Sequence, residues 1–471
     1  MEGAPPAGRI LFWAFLALIV WAPLPLGSNR GWAWGPLAAA IFLLCTAWCV
    51  AWAYGKVSIP EPLRKAWPVA ALLVAWIAYS ALHILPLPES WVAAISPNAA
   101  AAFAAVRAYL PEGYATLSVD PYASKGALLK SMAWVGAFFL TLALVNSRSR
   151  VKVLAYVIVF AAVAQSIYAI LMHLGGATTE YFGAVIFHGA SASGTYVNRN
   201  HLAGFLEMSL AVGIGLLIAS LRESSSGSWK AFFRRTLELV FNAKIRLRLY
   251  LCIMVIALVT THSRMGNTAF FSSLAIAGVI GLALSRHATR STVVLLASLI
   301  VIDLFIVGSW FGVEKLAARI EQTTVQDVKE REEPAAYAVK QIEDYGWVGS
   351  GMGTFYVVFP RYRAENVVAF FDHAHNDYVQ FAAEAGYIGI GILGLVVAFS
   401  LAAALLAQAR RRDPLMRGMS FASIMGVAAI LIHSTVDFNL QIPANALLFM
   451  VLLALAWISL YLERRSPPEE K

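Results

Sequence analysis

The segment FDHAHNDYVQFAAEAGYIGIG, residues 371–391, places two histidines and several acidic residues directly before a long apolar run. A neutral histidine accepts a proton from a hydroxyl when a partner holds its other ring nitrogen, so His375 is a candidate general base, with Asp372 or Asp377 as that partner. Imidazole and carboxylate groups also bind zinc or manganese, so a metal site that includes His373 is a second interpretation. A hydrated loop without chemistry is the third.

The spacing of these residues disfavours the metal site and leaves the other two interpretations open. Neighbouring positions in an irregular loop rarely converge on one ion, and the chain has no H-E-x-x-H pattern on a helix. No nucleotide cofactor is predicted either. The stretch GSGMGTF at 349–355 lacks the preceding buried strand and the third glycine of a dinucleotide-binding fingerprint, so we interpret it as a turn that supports the loop.

Two arginines lie at the outer ends of apolar runs, a place where Lys and Arg are normally avoided. Arg199 occurs in TYVNRNHLAG and Arg264 in THSRMGN, each beside small hydrogen-bonding residues. A planar guanidinium group suits phosphate oxygens, so we predict a shared anion site. The alternative is that each side chain reaches water or lipid headgroups. Arg361 and Arg363 in FPRYRAEN either join the anion site or are solvated loop charges.

Three further acidic residues are candidates for a supporting role. Glu207 lies about two helical turns after Arg199 and could orient it, bind a substrate hydroxyl or serve as a simple counter-ion. Asp437 follows His433 by one turn, and either residue could contact a polar substrate or cap a helix. Asp303 lies in the middle of an apolar run, where a charge is costly; it is a functional candidate or a group that packs between helices.

The elements that must position these residues are membrane helices. Hydrophobic residues make up 59% of the chain and charged residues 13%, whereas soluble domains carry about 25% charged residues. In lipid every backbone polar group must be bonded internally, so membrane spans are helices. We predict twelve spans, near residues 10–26, 34–54, 67–86, 128–146, 153–173, 201–221, 248–261, 267–285, 293–312, 386–408, 418–436 and 445–462.

The distribution of basic residues predicts that the N-terminus lies inside, since most of the 36 Lys and Arg residues then fall on inner segments. The net charge of +9 is thus explained by topology and by contact with anionic lipids, and it indicates no nucleic-acid partner. We divide the chain into spans one to nine with outer loops 87–127 and 174–200 (residues 1–312), a large outer loop that carries the histidine segment (313–385), and the last three spans with an inner tail (386–471).

The three long outer segments differ in composition. Residues 87–127 are rich in alanine after proline punctuation, which favours an interfacial helix. Residues 174–200 are rich in Gly, Ser, Thr and Asn and are predicted to form a loop that leads directly into a span. The first half of 313–385 has a helical pattern, with Pro334 as a predicted break.

Five segments carry a resemblance to a known family: GTYVNRNHLAGFLEM at 194–208, SRMG at 263–266, GWVGSGMGTFYVVFPRYR at 346–363, HNDYVQFAAEAGYIG at 375–389 and HSTVDFNLQIPANALLF at 433–449. In this order they resemble the O-antigen ligase family, whose relatives include the lipid-linked polysaccharide polymerases. The resemblance covers roughly residues 120–460. One departure concerns Met265, because many relatives have glycine at that position.

The resemblance implies an all-α polytopic membrane protein of the GT-C type, with about twelve transmembrane helices and a large periplasmic loop. Such proteins transfer a saccharide from a polyprenyl diphosphate at the outer face of the bacterial inner membrane, without a metal or another cofactor. Carried over by position, His375 would be the base, with Asn376 beside it, and Arg199 and Arg264 would bind the diphosphate. The implied partners are the lipid-linked glycan donor, a saccharide acceptor, membrane lipids and, for a polymerase, a chain-length co-polymerase.

The acceptor divides the family in two. A ligase uses lipid A-core, and a polymerase uses another lipid-linked unit. The runs VNRNHLAGFLEM and LSVDPYAS at 117–124 resemble members associated with exopolysaccharide polymerisation, so we favour the polymerase. Proteins of two other classes, a secondary transporter and a scaffold for envelope assembly, are alternatives. The sequence shows neither an internal repeat nor paired broken helices at midplane, which disfavours the transporter.

Overall fold

The computed structural model describes residues 6–109, 115–181, 183–220, 243–284, 325–363 and 371–463. Within these ranges most of the chain is helical. The helices are α1 (Pro6–Trp21), α2 (Gly31–Ala53), α3 (Glu61–Lys65), α4 (Trp67–Leu82), α5 (Glu89–Ile95), α6 (Pro97–Ala105), α7 (Pro121–Leu144), α8 (Arg148–Leu174), α9 (Arg199–Ser220), α10 (Ala243–Thr260), α11 (Arg264–Leu284), α12 (Val325–Tyr345), α13 (Phe355–Val358), α14 (Asp377–Arg410), α15 (Pro414–His433) and α16 (Pro443–Tyr461).

Eight of these helices are long and apolar enough to cross a membrane: α2, α7, α8, α9, α11, α14, α15 and α16. Helices α1 and α4 are apolar but shorter. Helix α10 covers the seventh predicted span, but its sequence has Lys244, Arg246 and Arg248 near the start. The chain is therefore a polytopic helical membrane protein. The ninth predicted span, 293–312 with Asp303, lies outside the described residues, so the count of twelve stays a prediction.

Helices α9, α15 and α16 form the centre of the bundle, and each is buried along most of its length. Helix α9 packs closely against α15 because both have glycine at the crossing. A Cβ atom on Gly215 would lie 2.3 Å from the carbonyl oxygen of Gly418. Small residues at a crossing let two membrane helices approach closely and gain van der Waals contact. Arg199 is the first residue of α9, and the segment with Asp437 and Phe438 connects α15 to α16.

Two outer segments differ from their predictions. Residues 174–200 contain a two-stranded antiparallel sheet, with β1 (Thr178–Tyr181) paired to β2 (Ala184–Phe187), in place of a purely irregular loop. The strand residues include β-branched and aromatic types, which favour extended pairing. The expected interfacial helix after residue 87 consists of two short helices, α5 and α6, separated at Ser96.

The predicted break at Pro334 is wrong, because α12 continues through this proline. A proline inside a helix removes one backbone hydrogen bond and bends the helix without necessarily ending it. Helix α12 packs against α14, and such tertiary contact stabilises a helix beyond its local propensity.

Helix α14 is broken near its outer end, at Gly386. The backbone there has φ 64° and ψ −174°, a conformation that essentially only glycine adopts. A Cβ atom on Gly386 would lie 2.3 Å from the carbonyl oxygen of Trp347, so the site is closed to larger residues. The break separates a short outer helix, residues 377–385, from the long apolar part of α14.

The turn at residues 346–351 supplies the hydrogen bonds that the break removes. The amides of Ser350 and Gly351 donate to the carbonyls of Ala383 and Glu384, at 3.0 and 2.9 Å. In the other direction, the amide of Ile388 donates to the carbonyl of Trp347 at 3.1 Å. An interrupted helix in a membrane protein is stable only if its free backbone groups find such partners. The turn predicted from GSGMGTF therefore has a defined structural task.

We expect Gly386→Ala to lower both the folded yield and the activity of the protein, because the added methyl group meets the Trp347 carbonyl. A strained conformation of this kind costs about 1–3 kcal/mol, before the steric contact is counted. Thermal unfolding of the detergent-purified protein measures the effect. Gly391→Ala on the same helix is the matched control, since its added Cβ meets nothing within 4 Å. Equal stability of both variants would show that the break is not needed.

Candidate functional site

The ring of Phe438 brings three histidines together. His373 stacks on it with ring centroids 4.2 Å apart, and His375 and His201 approach it edge-on at 4.9 and 4.6 Å. His201 lies in the first turn of α9, the two loop histidines precede α14, and Phe438 follows α15. We call these four residues the histidine cluster. Three sequence segments that are far apart in the chain therefore meet at one aromatic side chain.

The backbone of the histidine loop is fixed at the start of α14. Asn376 is the N-cap of this helix: its side-chain oxygen accepts from the amide of Val379 at 3.1 Å. Its side-chain amide donates to the carbonyl of Thr435 at 2.8 Å and so links the loop to the segment after α15. His375 itself has φ 51°, in the left-handed region that non-glycine residues rarely adopt. Such strain is common where a side chain must be aimed at a substrate.

A second set of contacts connects the histidine loop to the break in α14. Gln380 contacts Nδ1 of His373, with its side-chain nitrogen at 3.0 Å, and accepts from the amide of Ala374 at 3.2 Å. Glu384 lies one turn further along, and its Oε1 accepts from Gln380 at 3.3 Å and from the amide of Phe355 at 3.0 Å. Its Oε2 accepts from the amide of Gly353 at 2.9 Å. The glycine turn, α14 and the histidine loop therefore form one connected unit.

Below the histidine cluster lies a buried network of acidic residues and histidines. Oε1 of Glu207 lies 2.8 Å from Nδ1 of His433, and both side chains are almost fully buried. Asp437, which is 1% exposed, links this pair to the histidine cluster. Its Oδ2 lies 3.8 Å from Nε2 of His433, and its Oδ1 lies 3.7 Å from Nε2 of His201. Glu207 is thus the partner of His433. This outcome favours the counter-ion interpretation of Glu207 over an orienting role towards Arg199.

The charge of Asp437 is stabilised by its histidine neighbours. Burial alone would raise the pKa of its carboxyl group, but the interactions with His201 and His433 outweigh burial and hold the pKa well below its usual range. Asp437 is therefore ionised at neutral pH. Asp437 is buried in the segment that follows α15.

Asp377 is likewise engaged within the protein. One of its carboxylate oxygens accepts from the hydroxyl of Ser434 at 2.7 Å and from the amide of Leu440 at 3.0 Å. Its own amide donates to the carbonyls of Ser434 and Asp437. The role predicted for Asp377, as partner of the second ring nitrogen of His375, stays a prediction. Asp377 ties the start of α14 to the segment after α15.

Several buried polar atoms in this region have no hydrogen-bond partner among the described residues. They are His201 Nε2, Glu207 Oε2, Asp377 Oδ1, His433 Nε2, Asp437 Oδ2 and Asn439 Nδ2. Each such atom costs about 1–3 kcal/mol of stability. Three of these residues are in electrostatic contact: Asp437 attracts His201 at 3.7 Å and His433 at 3.8 Å, longer than a hydrogen bond.

Arg199 and Arg264 are the first residues of α9 and α11, and these helix starts lie close together. A Cβ atom on Gly266 would lie 2.6 Å from Cβ of Ala203, which shows that the first turns of the two helices touch. Arg199 is half-buried and Arg264 is exposed. Helix N-termini favour anions because their amides and dipoles point towards them. The structure therefore pairs the two predicted arginines with two suitable helix ends.

Three more of the predicted residues are exposed: Asp372, Arg361 and Arg363. Asp372 is exposed, and its charge acts on the neighbouring His373. Arg361 and Arg363 are exposed at the end of the short helical segment after α13. Arg361 interacts with Tyr345 at the end of α12, which places it on the outer loop and not in the histidine cluster. Across the described ranges, no three His, Cys, Asp or Glu side chains are gathered so that they could hold a metal ion.

A cavity of about 660 Å³ opens beside the histidine loop. Its walls come from α2, α4, α7, α14 and α16 and are mainly apolar and aromatic. Asp372, His373 and Asp377 lie in its wall where it meets the histidine loop, and Lys130 of α7 lies further along the wall. The size is within the range of about 300–1,000 Å³ that is usual for small-molecule sites.

Sequence reasoning assigned no role to Gln380, Glu384, His201 or Phe438. Gln380 and Glu384 are part of the segment singled out from the sequence, and their spacing of four residues places them on one helix face. That spacing was the available signal. His201 and Phe438 showed no local signal, because their importance comes only from the tertiary contact between α9 and the segment after α15.

Comparison with known proteins supports the family resemblance. Residues 249–394 match the protein-family model described as O-antigen ligase. The match covers α10, α11, α12 and the outer part of α14, and so includes Arg264, the glycine turn and His375, but not Arg199. No curated protein matches the chain. Residues 249–394 are therefore similar to the O-antigen ligase family, whose members are glycosyltransferase-like, and this similarity supports an enzyme at a coarse level.

The pKa of His373 leads to a prediction about acid stability. Burial lowers the pKa of His373 to about 4, although the charge of Asp372 opposes the shift. In the unfolded chain the ring titrates near 6.5. Between about pH 6.5 and about pH 4 the unfolded chain therefore binds a proton that the folded protein does not bind, and this favours unfolding. We expect thermal stability to fall as the pH decreases from about 6.5 to about 4. His373→Gln should show a weaker fall in the same unfolding series; an unchanged fall would contradict the assignment.

Proposed function

We propose that this protein, on the premise of its O-antigen ligase-family domain, transfers a glycan from a polyprenyl diphosphate to a sugar hydroxyl with inversion at the anomeric carbon. We further propose that it does so as a polymerase at the periplasmic face of the bacterial inner membrane, with no metal. The observation that carries the proposal is the arrangement of His375: a strained, half-buried histidine whose ring packs on the same aromatic residue as the first turn of α9, the helix that Arg199 begins.

The base acts on the acceptor. His375 accepts the proton of the acceptor hydroxyl as the oxygen attacks the anomeric carbon of the donor glycan, a contribution of about 10²–10⁴-fold. His373 is less suited to this role, because a ring with a pKa of about 4 is a weak base at neutral pH. Gln380 and Asn376 hold the loop so that the two histidines keep different environments.

The leaving group is a diphosphate. As the new bond forms, the bond between the anomeric carbon and the diphosphate oxygen breaks, and the electron pair departs with the diphosphate. Arg199, Arg264 and the N-terminal ends of α9 and α11 stabilise the developing negative charge. The polyprenyl chain stays in the bilayer while the glycan projects outward, which accounts for a catalytic loop at the ends of membrane helices.

A ligase that transfers the glycan to lipid A-core is the second candidate, and the description of the matching family favours it. Both enzymes share the donor, the base and the anion site. They differ only in the acceptor, so the acceptor assay decides between them.

We expect His375→Ala to lower the rate of glycan transfer by about 10²–10⁴-fold while the protein stays folded. Purified protein is incubated with a polyprenyl-diphosphate oligosaccharide and, in parallel, with a second lipid-linked unit or with lipid A-core. A ladder of products from the lipid-linked unit alone identifies a polymerase, and glycosylated lipid A-core identifies a ligase.

The matched control is His373→Gln in the same loop. It removes the neighbouring imidazole but keeps a group that can bond Gln380, so we expect a loss of less than about tenfold if His375 is the general base. A folded His375→Ala variant with wild-type rate would refute the base assignment. Absence of transfer by the wild type with every donor and acceptor would refute the proposed function and favour a transporter or a scaffold.

A further inference from the structure

His83 has a carbonyl oxygen opposite each of its two ring nitrogens. It follows directly after α4 and is 2% exposed. Its Nδ1 lies 2.8 Å from the carbonyl oxygen of Tyr79, one turn earlier, and its Nε2 lies 2.8 Å from the carbonyl oxygen of Val348 in the glycine turn. A carbonyl oxygen accepts hydrogen bonds and cannot donate them. Both ring nitrogens therefore face acceptors at hydrogen-bond distance.

This geometry calls for a charged ring. A neutral imidazole has one N–H group and one nitrogen with a lone pair, so one of the two carbonyl oxygens would face that lone pair at 2.8 Å. An imidazolium ring has an N–H group on both nitrogens and donates to both carbonyls in charge-assisted hydrogen bonds. Only the charged form of His83 satisfies both contacts.

The place of His83 at the end of α4 also favours a positive charge. The last turn of a helix leaves carbonyl groups without an intrahelical partner, and the helix dipole stabilises a cation there. Burial by itself disfavours a charged ring, so the charge depends on the two carbonyl contacts. The charge on His83 and the attachment of the glycine turn to α4 therefore support each other.

The titratable groups around His83 have partners of their own. Tyr79 faces the imidazole from α4, with ring centroids 4.6 Å apart, and residues 346–351 of the glycine turn include no titratable side chain. The segments next to the turn and to the His83 backbone carry three titratable side chains: Asp120, Tyr345 and Glu384. The two carboxylates accept from backbone amides, and the tyrosine interacts with Arg361.

The bond from His83 to Val348 lies at the centre of the structure that repairs the break in α14. Residues 347–351 bond the backbone on both sides of that break. The hydroxyl of Tyr79 lies 2.7 Å from the carbonyl oxygen of Ala385 and 3.0 Å from that of Val348, but it has one hydrogen to donate. When this hydrogen points to the nearer oxygen, that of Ala385, the carbonyl of Val348 depends on His83.

We propose that His83 is a positively charged positioning residue: its second ring proton fastens the glycine turn to α4, and loss of that proton releases the turn and misaligns the histidine loop. The turn bonds Glu384, Glu384 bonds Gln380, and Gln380 contacts His373, so a shift of the turn reaches the loop. For its effect on activity the inference rests on the proposed function, whereas the charge on His83 does not.

The proposal gives two histidines opposite effects on the pH dependence of glycan transfer. His375 accepts a proton only when its ring is neutral, so kcat rises with pH. His83 holds the turn only when its ring is charged, so kcat falls again at higher pH. We therefore expect a bell-shaped profile of kcat for the wild type over the range in which histidines titrate, about pH 5 to 8.

Two variants of His83 separate its charge from its volume, and each is checked for folding by size exclusion. In His83→Gln a side-chain amide donates to Val348 at every pH, so we expect the fall of kcat at higher pH to disappear. His83→Phe fills the same space without a donor. We expect it to lower kcat by about tenfold or more, since a hydrogen bond from a charged group is lost.

The charge itself is measured without any substrate. NMR of the detergent-purified protein with isotope-labelled histidine reports whether each ring nitrogen carries a hydrogen, and the signal of His83 is identified by its loss in His83→Gln. We expect hydrogens on both nitrogens of His83 at the pH of greatest thermal stability.

The other outcomes overturn the inference. A neutral His83 ring in the NMR measurement would refute the charged contact. A fall of kcat at higher pH that persists in His83→Gln would refute the link between this charge and the histidine loop, as would equal kcat of His83→Gln and His83→Phe at every pH. Absence of transfer by the wild type would refute the proposed function, and the NMR measurement would still decide the charge on His83.

Discussion

The break in α14 at Gly386 is the constraint on which the rest of the site depends. A helix that is interrupted near the membrane leaves carbonyl and amide groups that water does not reach, and each must be bonded within the protein. The turn that contains Gly349 and Gly351 meets this need, and Tyr79 of α4 adds a bond from its hydroxyl to the carbonyl of Ala385 at 2.7 Å. Because the turn can dock only against the broken helix, the outer loop is fixed to the bundle at this point.

The fixed outer piece of α14 then sets the histidine loop. Glu384 bonds the turn, Gln380 bonds Glu384, and His373 contacts Gln380, so the position of the loop follows from the position of the break. Phe438 completes the arrangement by giving the three histidines one shared apolar surface. The result is two loop histidines with different environments: His373 stacks on Phe438 and contacts Gln380, whereas His375 has a strained backbone and meets the ring of Phe438 edge-on.

The sequence predicted the helical membrane class, the glycine turn and the residues around the histidine loop, because hydropathy and local spacing are encoded in short stretches of chain. It did not predict that α12 passes through Pro334, because the packing of this helix against α14 is not visible in the local sequence. It also missed the pairing of Thr178–Tyr181 with Ala184–Phe187, although the β-branched and aromatic residues there favour strands. The pairing of Glu207 with His433 was also hidden. These residues are far apart in sequence, and only the close crossing of α9 and α15 brings them together.

The central claim is that one base and one anion site perform a single displacement at the anomeric carbon. The most direct test is the configuration of the newly formed glycosidic bond, determined by NMR on the product made by the purified wild-type protein from a donor of known configuration. A single displacement inverts the anomeric carbon, so the new linkage should have the opposite configuration to the donor's bond to diphosphate. Retention of configuration would require two displacements through a covalent glycosyl intermediate and would contradict the role given to His375.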